Sequence, residues 1–235
     1  MPIRPALLAT AAGEFSLAEV GVPVPLDRLV PGSDGEGGPW EVEIGFGKGR
    51  YLLRRCREDR DRRFLGIEIA GEYLREWVRK ARRLRLSNFL MLRGEALSLL
   101  ATALPAGFAE VVHVYFPDPW PKSRHQKRRL FEPESIDLVL NLLAPGGRLS
   151  FATDFLEYGE LVAEILTSMP GLAVRRLDAW PEGPRTHYEE KFVALGQPIV
   201  RLEAWFTAGA RAGLHPRGLA GLLVAARRPE AAGAL

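Results

Sequence analysis

Glu43-Ile44-Gly45-Phe46-Gly47-Lys48-Gly49 closes one short apolar run and opens a helical one, and its reading decides the fold. Glu41–Gly45 reads as a strand, and Lys48–Arg57 reads as a helix. Glycines between the two let the backbone approach a ligand with no Cβ in the way. The same rhythm continues outward. Phe64–Ile69 is a strand, Glu72 to Leu84 an amphipathic helix, Asn88–Leu92 a strand, Ala96–Ala103 a short helix and Glu110–Phe116 a fourth strand. A helix from Pro133 to Leu143 is broken by Ala144-Pro145-Gly146-Gly147, and Arg148–Thr153 returns as a fifth strand. This alternation predicts an α/β fold, with a doubly wound, mostly parallel sheet and helices on both faces. The ligand of such a sheet lies beyond the carboxyl ends of the strands, where strand order reverses. Residues 40–208 are read as this domain. Residues 1–39 are read as an irregular segment with a Gly-rich linker at Pro31–Pro39, and 209–235 as an Ala/Gly/Arg-rich C-terminal extension.

The 235 residues are 47% hydrophobic and 26% charged, the composition of a soluble globular chain. No window approaches the apolar length of a membrane span, and the run Ala6–Ala12 is thin for a signal peptide, so a cytoplasmic address is expected. Cys56 is the only cysteine, which rules out an intrachain disulfide and a four-cysteine zinc site. With four histidines and no paired ligand spacing, no metal is expected. No obligatory protein partner is expected either. The net charge is only +3, so an argument for nucleic-acid binding must rest on where the cations lie.

The glycine spacing is G-x-G-x-G, whereas a dinucleotide turn prefers G-x-G-x-x-G. Glu43 stands two residues before Gly45. An acid facing the ligand suits S-adenosylmethionine, whose amino group and sulfonium are cationic, better than a pyrophosphate. Glu68 ends the second strand, where a carboxylate can accept from vicinal ribose hydroxyls. Glu95 closes the third and can accept from an adenine amine. Three acids at three successive strand ends favour a nucleoside cofactor.

Phe116-Pro117-Asp118-Pro119-Trp120-Pro121-Lys122 follows the fourth strand. Three prolines in five residues stiffen the loop and aim Asp118 with little freedom. Lys122, Arg124, His125, Lys127, Arg128 and Arg129 then crowd into eight residues beside the open end of the sheet, where substrate phosphates would lie.

The stretch Phe116–Arg129 resembles the signature of the bacterial tRNA (guanine-N7)-methyltransferase family, which modifies a guanine in the tRNA variable loop. The likeness extends through Thr153-Asp154 and through Thr186-His187-Tyr188-Glu189-Glu190-Lys191-Phe192. It implies a seven-stranded Rossmann-like methyltransferase sheet, S-adenosylmethionine as methyl donor and tRNA as partner. It implies Asp118 as the catalytic residue, with cofactor contacts from Glu43, Glu68, Glu95 and Asp118, beside Gly45, Gly47 and Gly49 of the turn. Substrate contacts are implied for Lys122, Asp154, Thr186, His187, Tyr188 and Glu189, and RNA contacts for Arg124, His125, Gln126, Lys127, Arg128 and Arg129. Position 95 is Glu where the family more often has Asp. The N-terminal segment offers only Arg4 and Arg28 in place of a basic arm, and the chain departs from the family after Gly196.

Guanine N7 carries an in-plane lone pair and no proton, so methyl transfer to it needs alignment and electrostatics and no general base. A carboxylate near the ring favours the positive charge that builds there. Asp154 or Glu189 would accept from the guanine N1–H and amine, and the base would leave its stack to reach the donor. The alternatives are a methyltransferase acting on another RNA or a small molecule, and a non-catalytic RNA-binding relative.

Overall fold

The computed structural model describes residues 7–30, 39–133 and 135–207. The side chains of Gln126 and Lys127, Arg4 and the 209–235 extension lie outside the described residues. Strands β1 (Leu7–Thr10) and β2 (Glu14–Ser16) and short helices α1 (Leu17–Val20) and α2 (Leu26–Leu29) precede a regular alternation. It runs β3 (Trp40–Ile44), α3 (Arg50–Glu58), β4 (Arg63–Glu68), α4 (Gly71–Arg83), β5 (Phe89–Arg93), α5 (Ala96–Thr102) and β6 (Ala109–Tyr115). A 3-10 helix at Ser123–Arg128 follows, then α6 (Ile136–Leu140), β7 (Leu143–Thr153), α7 (Leu156–Ser168), β8 (Leu172–Arg176), α8 (His187–Ala194) and β9 (Val200–Phe206).

All nine strands form one sheet, in the order β2-β1-β5-β4-β3-β6-β7-β9-β8. The five strands from β5 to β7 are parallel, whereas β9 pairs antiparallel with β7 and with β8. Chain order reverses between β3 and β6, so the switch point lies beyond Ile44 and Tyr115.

Side-chain alternation sorts the two faces. Val42, Ile44, Leu65, Ile67, Val112, Val114 and Phe151 pack with Tyr158, Val162 and Leu166 of α7 and with the residues of α6. On the opposite face Phe64, Phe89 and Met91 pack under Leu52 of α3 and under Leu74, Trp77, Val78 and Ala81 of α4. A third cluster on that face joins Tyr51, Tyr115, Ala152 and Trp180.

Two expectations change. The segment before residue 40 is not irregular throughout, because β1 pairs antiparallel with β5 from Leu7↔Arg93 to Thr10↔Leu90. It covers a strand edge that would otherwise leave donors and acceptors unpaired, and Leu8 and Ala9 are fully buried there. These strands extend the expected seven to nine. The helix expected to reach Leu143 stops at Leu140, since Leu143 already pairs with Ala109 of β6.

Candidate active site

The turn after β3 is held in a shape that glycine adopts without strain. Gly45 and Gly47 have φ of 72° and 53°, and a Cβ at either would project into open space. Glu68 fixes the turn from the next strand, since its two oxygens accept from Gly47 N and Ala70 N at 2.8 Å each. Gly49, also expected at the ligand, has a different reason to be glycine. A Cβ there would overlap the Trp77 indole, whose Nε1 donates to the Gly49 carbonyl at 3.0 Å. Its close approach is to the core of the α4 face.

Glu43 is buried on the face covered by α3, and its Oε2 has no hydrogen-bond partner. Burial pushes its carboxyl up to about 8; repulsion from Glu68 and Glu41 adds to this, and the Leu52 backbone N–H offsets part of it. An acid sequestered this way favours its neutral form unless a cation comes to pair with it. Glu95 is exposed and caps α5, its oxygens accepting from Leu97 N at 2.9 Å and Ser98 N at 2.7 Å. Gly94 N donates to the Glu68 carbonyl at 3.2 Å, which places Glu95 beside the end of β4.

Asp118 is exposed in a loop bracketed by two strained residues. Phe116 and Trp120 take φ of 52° and 41°, in the left-handed region that side chains other than Gly seldom occupy. The loop begins fixed to β7, where Phe116 N donates to the Ala152 carbonyl at 2.7 Å. Arg129 fixes it further on, donating from Nε to the Pro119 carbonyl at 2.7 Å, with its guanidinium 4.9 Å from the Tyr158 ring centroid. The side chain expected to contact RNA at position 129 is therefore buried, 4% exposed, because the loop needs an internal donor. Three other cations of the run face outward. Lys122, Arg124 and Arg128 are exposed; Arg128 lies over Trp120 at 5.1 Å, and His125 meets the same ring edge-on at 5.7 Å.

Asp154 is exposed just past the end of β7. Thr186 caps α8, its hydroxyl accepting from Glu189 N at 3.1 Å. Tyr188 is 63% exposed and lies against Phe116 and Phe192. His187 Nδ1 lies 3.1 Å from Nη1 of Arg50, the first residue of α3, so the N-termini of α3 and α8 meet across the site. Glu189 does not face the site as expected. It is fully buried, accepting from Arg201 Nε at 2.6 Å on one oxygen, and from Arg185 N at 2.8 Å and Trp180 Nε1 at 3.2 Å on the other.

A buried polar chain beneath the site was not expected from sequence. His113 is buried with Nε2 3.2 Å from Glu41 and Nδ1 2.8 Å from the Tyr115 hydroxyl, which accepts from Arg185 Nη1 at 2.6 Å. Burial lowers the His113 pKa and keeps the ring neutral. Burial also opposes the Glu41 charge, but hydrogen bonds from His113 and Arg55 outweigh it and hold that carboxyl down to about 2. Neutral His113 then donates from Nε2 to Glu41 and accepts from Tyr115 on Nδ1. The only hint in the sequence is polar residues at alternate positions of β3 and β6. Among the described residues no group of three or more His, Cys, Asp or Glu side chains is arranged to hold a metal ion, and no helix is long and apolar enough to cross a membrane.

The strand order, with its antiparallel β9 between β7 and β8, is that of a Rossmann-like sheet. A family described as putative methyltransferase matches residues 38–202. The chain is 34% identical over 186 residues to a tRNA (guanine-N(7)-)-methyltransferase of Alkalilimnicola ehrlichii, covering 77% of each. It is 34% identical over 164 residues to the enzyme of that name from Nitrosospira multiformis, covering 68% of this chain and 72% of the relative. Among solved structures, a 16S rRNA (adenine(1408)-N(1))-methyltransferase from Catenulisporales acidiphilia shares the fold, with a TM-score of 0.57 at 14% identity over 86% of this chain and 97% of that one. This chain belongs to the tRNA (guanine-N(7)-)-methyltransferase family.

Proposed function

We propose that this chain transfers a methyl group from S-adenosylmethionine to N7 of a guanine in the variable loop of tRNA. Family membership supports the reaction, and the unpartnered buried oxygen of Glu43 supports the donor most directly. When bound, S-adenosylmethionine supplies an electrophilic methyl group on a positively charged sulfur. Glu43 would hold its ammonium group and Glu68 its ribose hydroxyls, with the open backbone of Gly45 and Gly47 alongside. The Glu95 carboxylate keeps lone pairs beyond the two that cap α5, and these serve the adenine end.

Asp118 sits at the mouth on a stiff loop, where it orients the guanine and favours the charge that develops on the methylated ring. With Glu189 buried, Asp154 is left to accept from the guanine N1–H and amine. Thr186 and His187 flank the extruded base, and the exposed ring of Tyr188 offers it a stacking surface. Lys122, Arg124 and Arg128, with His125 beside them, engage phosphates. The cytoplasm, where tRNA is processed, is the corresponding location.

Labelled S-adenosylmethionine and an unmodified tRNA transcript test the reading. Wild-type protein should label the tRNA, and a folded Asp118→Ala variant should bind tRNA without labelling it. Binding with no labelling by the wild type would overturn methyl transfer.

A further inference from the structure

Three segments build this site: the turn into α3, the loop after β6 and the N-terminus of α8. One buried arginine borders all three: the Arg185 guanidinium packs on Tyr51 of α3 and bonds Tyr115 at the end of β6, and its backbone N–H bonds Glu189 of α8. Arg185 stacks 3.9 Å from the Trp180 ring centroid, with the Tyr51 and Tyr115 centroids at 5.5 and 5.8 Å. Its Nη1 donates to the Tyr115 hydroxyl and its Nε to Glu182, each at 2.6 Å. Tyr51 lies two residues past Gly49, Tyr115 immediately precedes Phe116, and Arg185 immediately precedes the Thr186 cap. Its backbone N–H also donates to Glu189, which Arg201 grips from the other side.

Arg185 is 7% exposed, and its one carboxylate partner, Glu182, is 43% exposed. Taking a guanidinium out of water costs several kcal/mol, and an apolar side chain of similar size often packs at no loss of stability. What the guanidinium supplies here is direction. Its donors and its planar face fix four neighbours at once, and Tyr115 passes the constraint on to His113 and Glu41.

We infer that Arg185 is a positioning residue for the transfer step, setting the Asp118 loop and the Thr186–Tyr188 segment in register with the cofactor turn. The inference rests on the tRNA methyltransferase reading. Arg185 has no place among the groups assigned to hold the cofactor, so its loss acts on turnover and tRNA engagement and leaves cofactor affinity alone.

The test compares wild type, Tyr115→Phe, Arg185→Gln, Arg185→Lys and the Tyr115→Phe/Arg185→Gln double variant. Tyr115→Phe removes only the hydroxyl, so the core keeps its shape even if an Arg185 variant fails to fold. Its kcat on tRNA should fall about tenfold or more, as small misplacements in a preorganised site do, while calorimetric affinity for S-adenosylhomocysteine is unchanged. The double variant should be no worse than Arg185→Gln alone, because both break one link. Arg185→Lys keeps the charge without the planar fork and should stay impaired. Amide exchange over residues 186–190 should also rise in Tyr115→Phe, with α4 unaffected. A wild-type kcat in Tyr115→Phe, an equal loss of cofactor affinity, or unchanged exchange over 186–190 would overturn the inference. Absence of tRNA methylation by the wild type would instead count against the function, and the exchange measurement would still decide the role of Arg185.

Discussion

Arg129 donates to the carbonyl of Pro119 at 2.7 Å, so the last cation of the basic run faces inward and holds the loop that carries Asp118. Arg128, its neighbour, lies exposed over Trp120. Adjacent residues of one charge cluster therefore have separable roles. Arg129→Ala should destabilise the fold by about 1 kcal/mol or more, from the lost bond to the half-buried Pro119 carbonyl and the lost packing of the buried side chain. Arg128→Ala should leave the melting temperature in place but reduce the salt slope of tRNA binding by about one. Thermal melts and filter binding across a salt series check both. The reverse assignment would show Arg129 contacting RNA.

Glu43 links stability to pH. Its carboxyl stands at about 8 in the folded chain against an ordinary value of 4.5. The unfolded chain ionises it first, so its contribution is fully present below about pH 4.5 and is lost as pH rises through about 8. Glu43→Gln removes that loss. The variant should melt with the wild type near pH 4.5 and several degrees above it at pH 8, since each kcal/mol is worth about 2–4 °C in a chain of this size. A lower melting temperature at pH 8 would contradict the burial argument.

The same acid makes cofactor binding depend on pH. A cationic ligand needs the ionised carboxylate, so wild-type affinity for S-adenosylmethionine should rise by up to about tenfold per pH unit from about pH 6 and pass a maximum near about 8, where the ligand's own ammonium begins to lose its proton. Glu43→Gln should bind weakly at every pH. Calorimetry in buffers of different ionisation enthalpy reads the proton released. A flat affinity profile would remove Glu43 from the cofactor site.

The glycines of the turn should part company on substitution. Gly49→Ala drives a Cβ into Trp77 as well as imposing a left-handed φ, so a loss of at least about 2 kcal/mol is expected from overpacking and backbone strain together. Gly47→Ala meets nothing within 4 Å and should lose only the backbone strain, about 1–2 kcal/mol, while cofactor affinity falls. Denaturant melts paired with cofactor titration separate the two. Equal destabilisation would contradict the distinction.

The alternating sheet was legible because Val42, Ile44, Ile67, Val112 and Val114 recur at the strand period between glycine and proline breaks. β1 was not, because four residues carry little periodicity and its pairing depends on the open edge of β5, 80 or more positions away. For the site, residue types and strand ends pointed to Glu43, Glu68, Glu95 and Asp118, and Asp154 came only from the family resemblance. Spacing did not reveal which charges turn inward. Glu189 is filled by Trp180 and Arg201, nine and twelve residues distant, and Arg129 by a carbonyl ten residues back. Arg185 reads in sequence as one more polar residue before a helix cap; only the converging rings of Tyr51, Tyr115 and Trp180 set it apart.

The most direct measurement is borohydride reduction and aniline cleavage of a tRNA transcript after incubation with the protein and S-adenosylmethionine, with the cut mapped to one nucleotide. The account predicts a single cut at a guanine of the variable loop, present with wild type and absent with Asp118→Ala. Methyl incorporation with no cleavage, or with cuts elsewhere in the transcript, would contradict it.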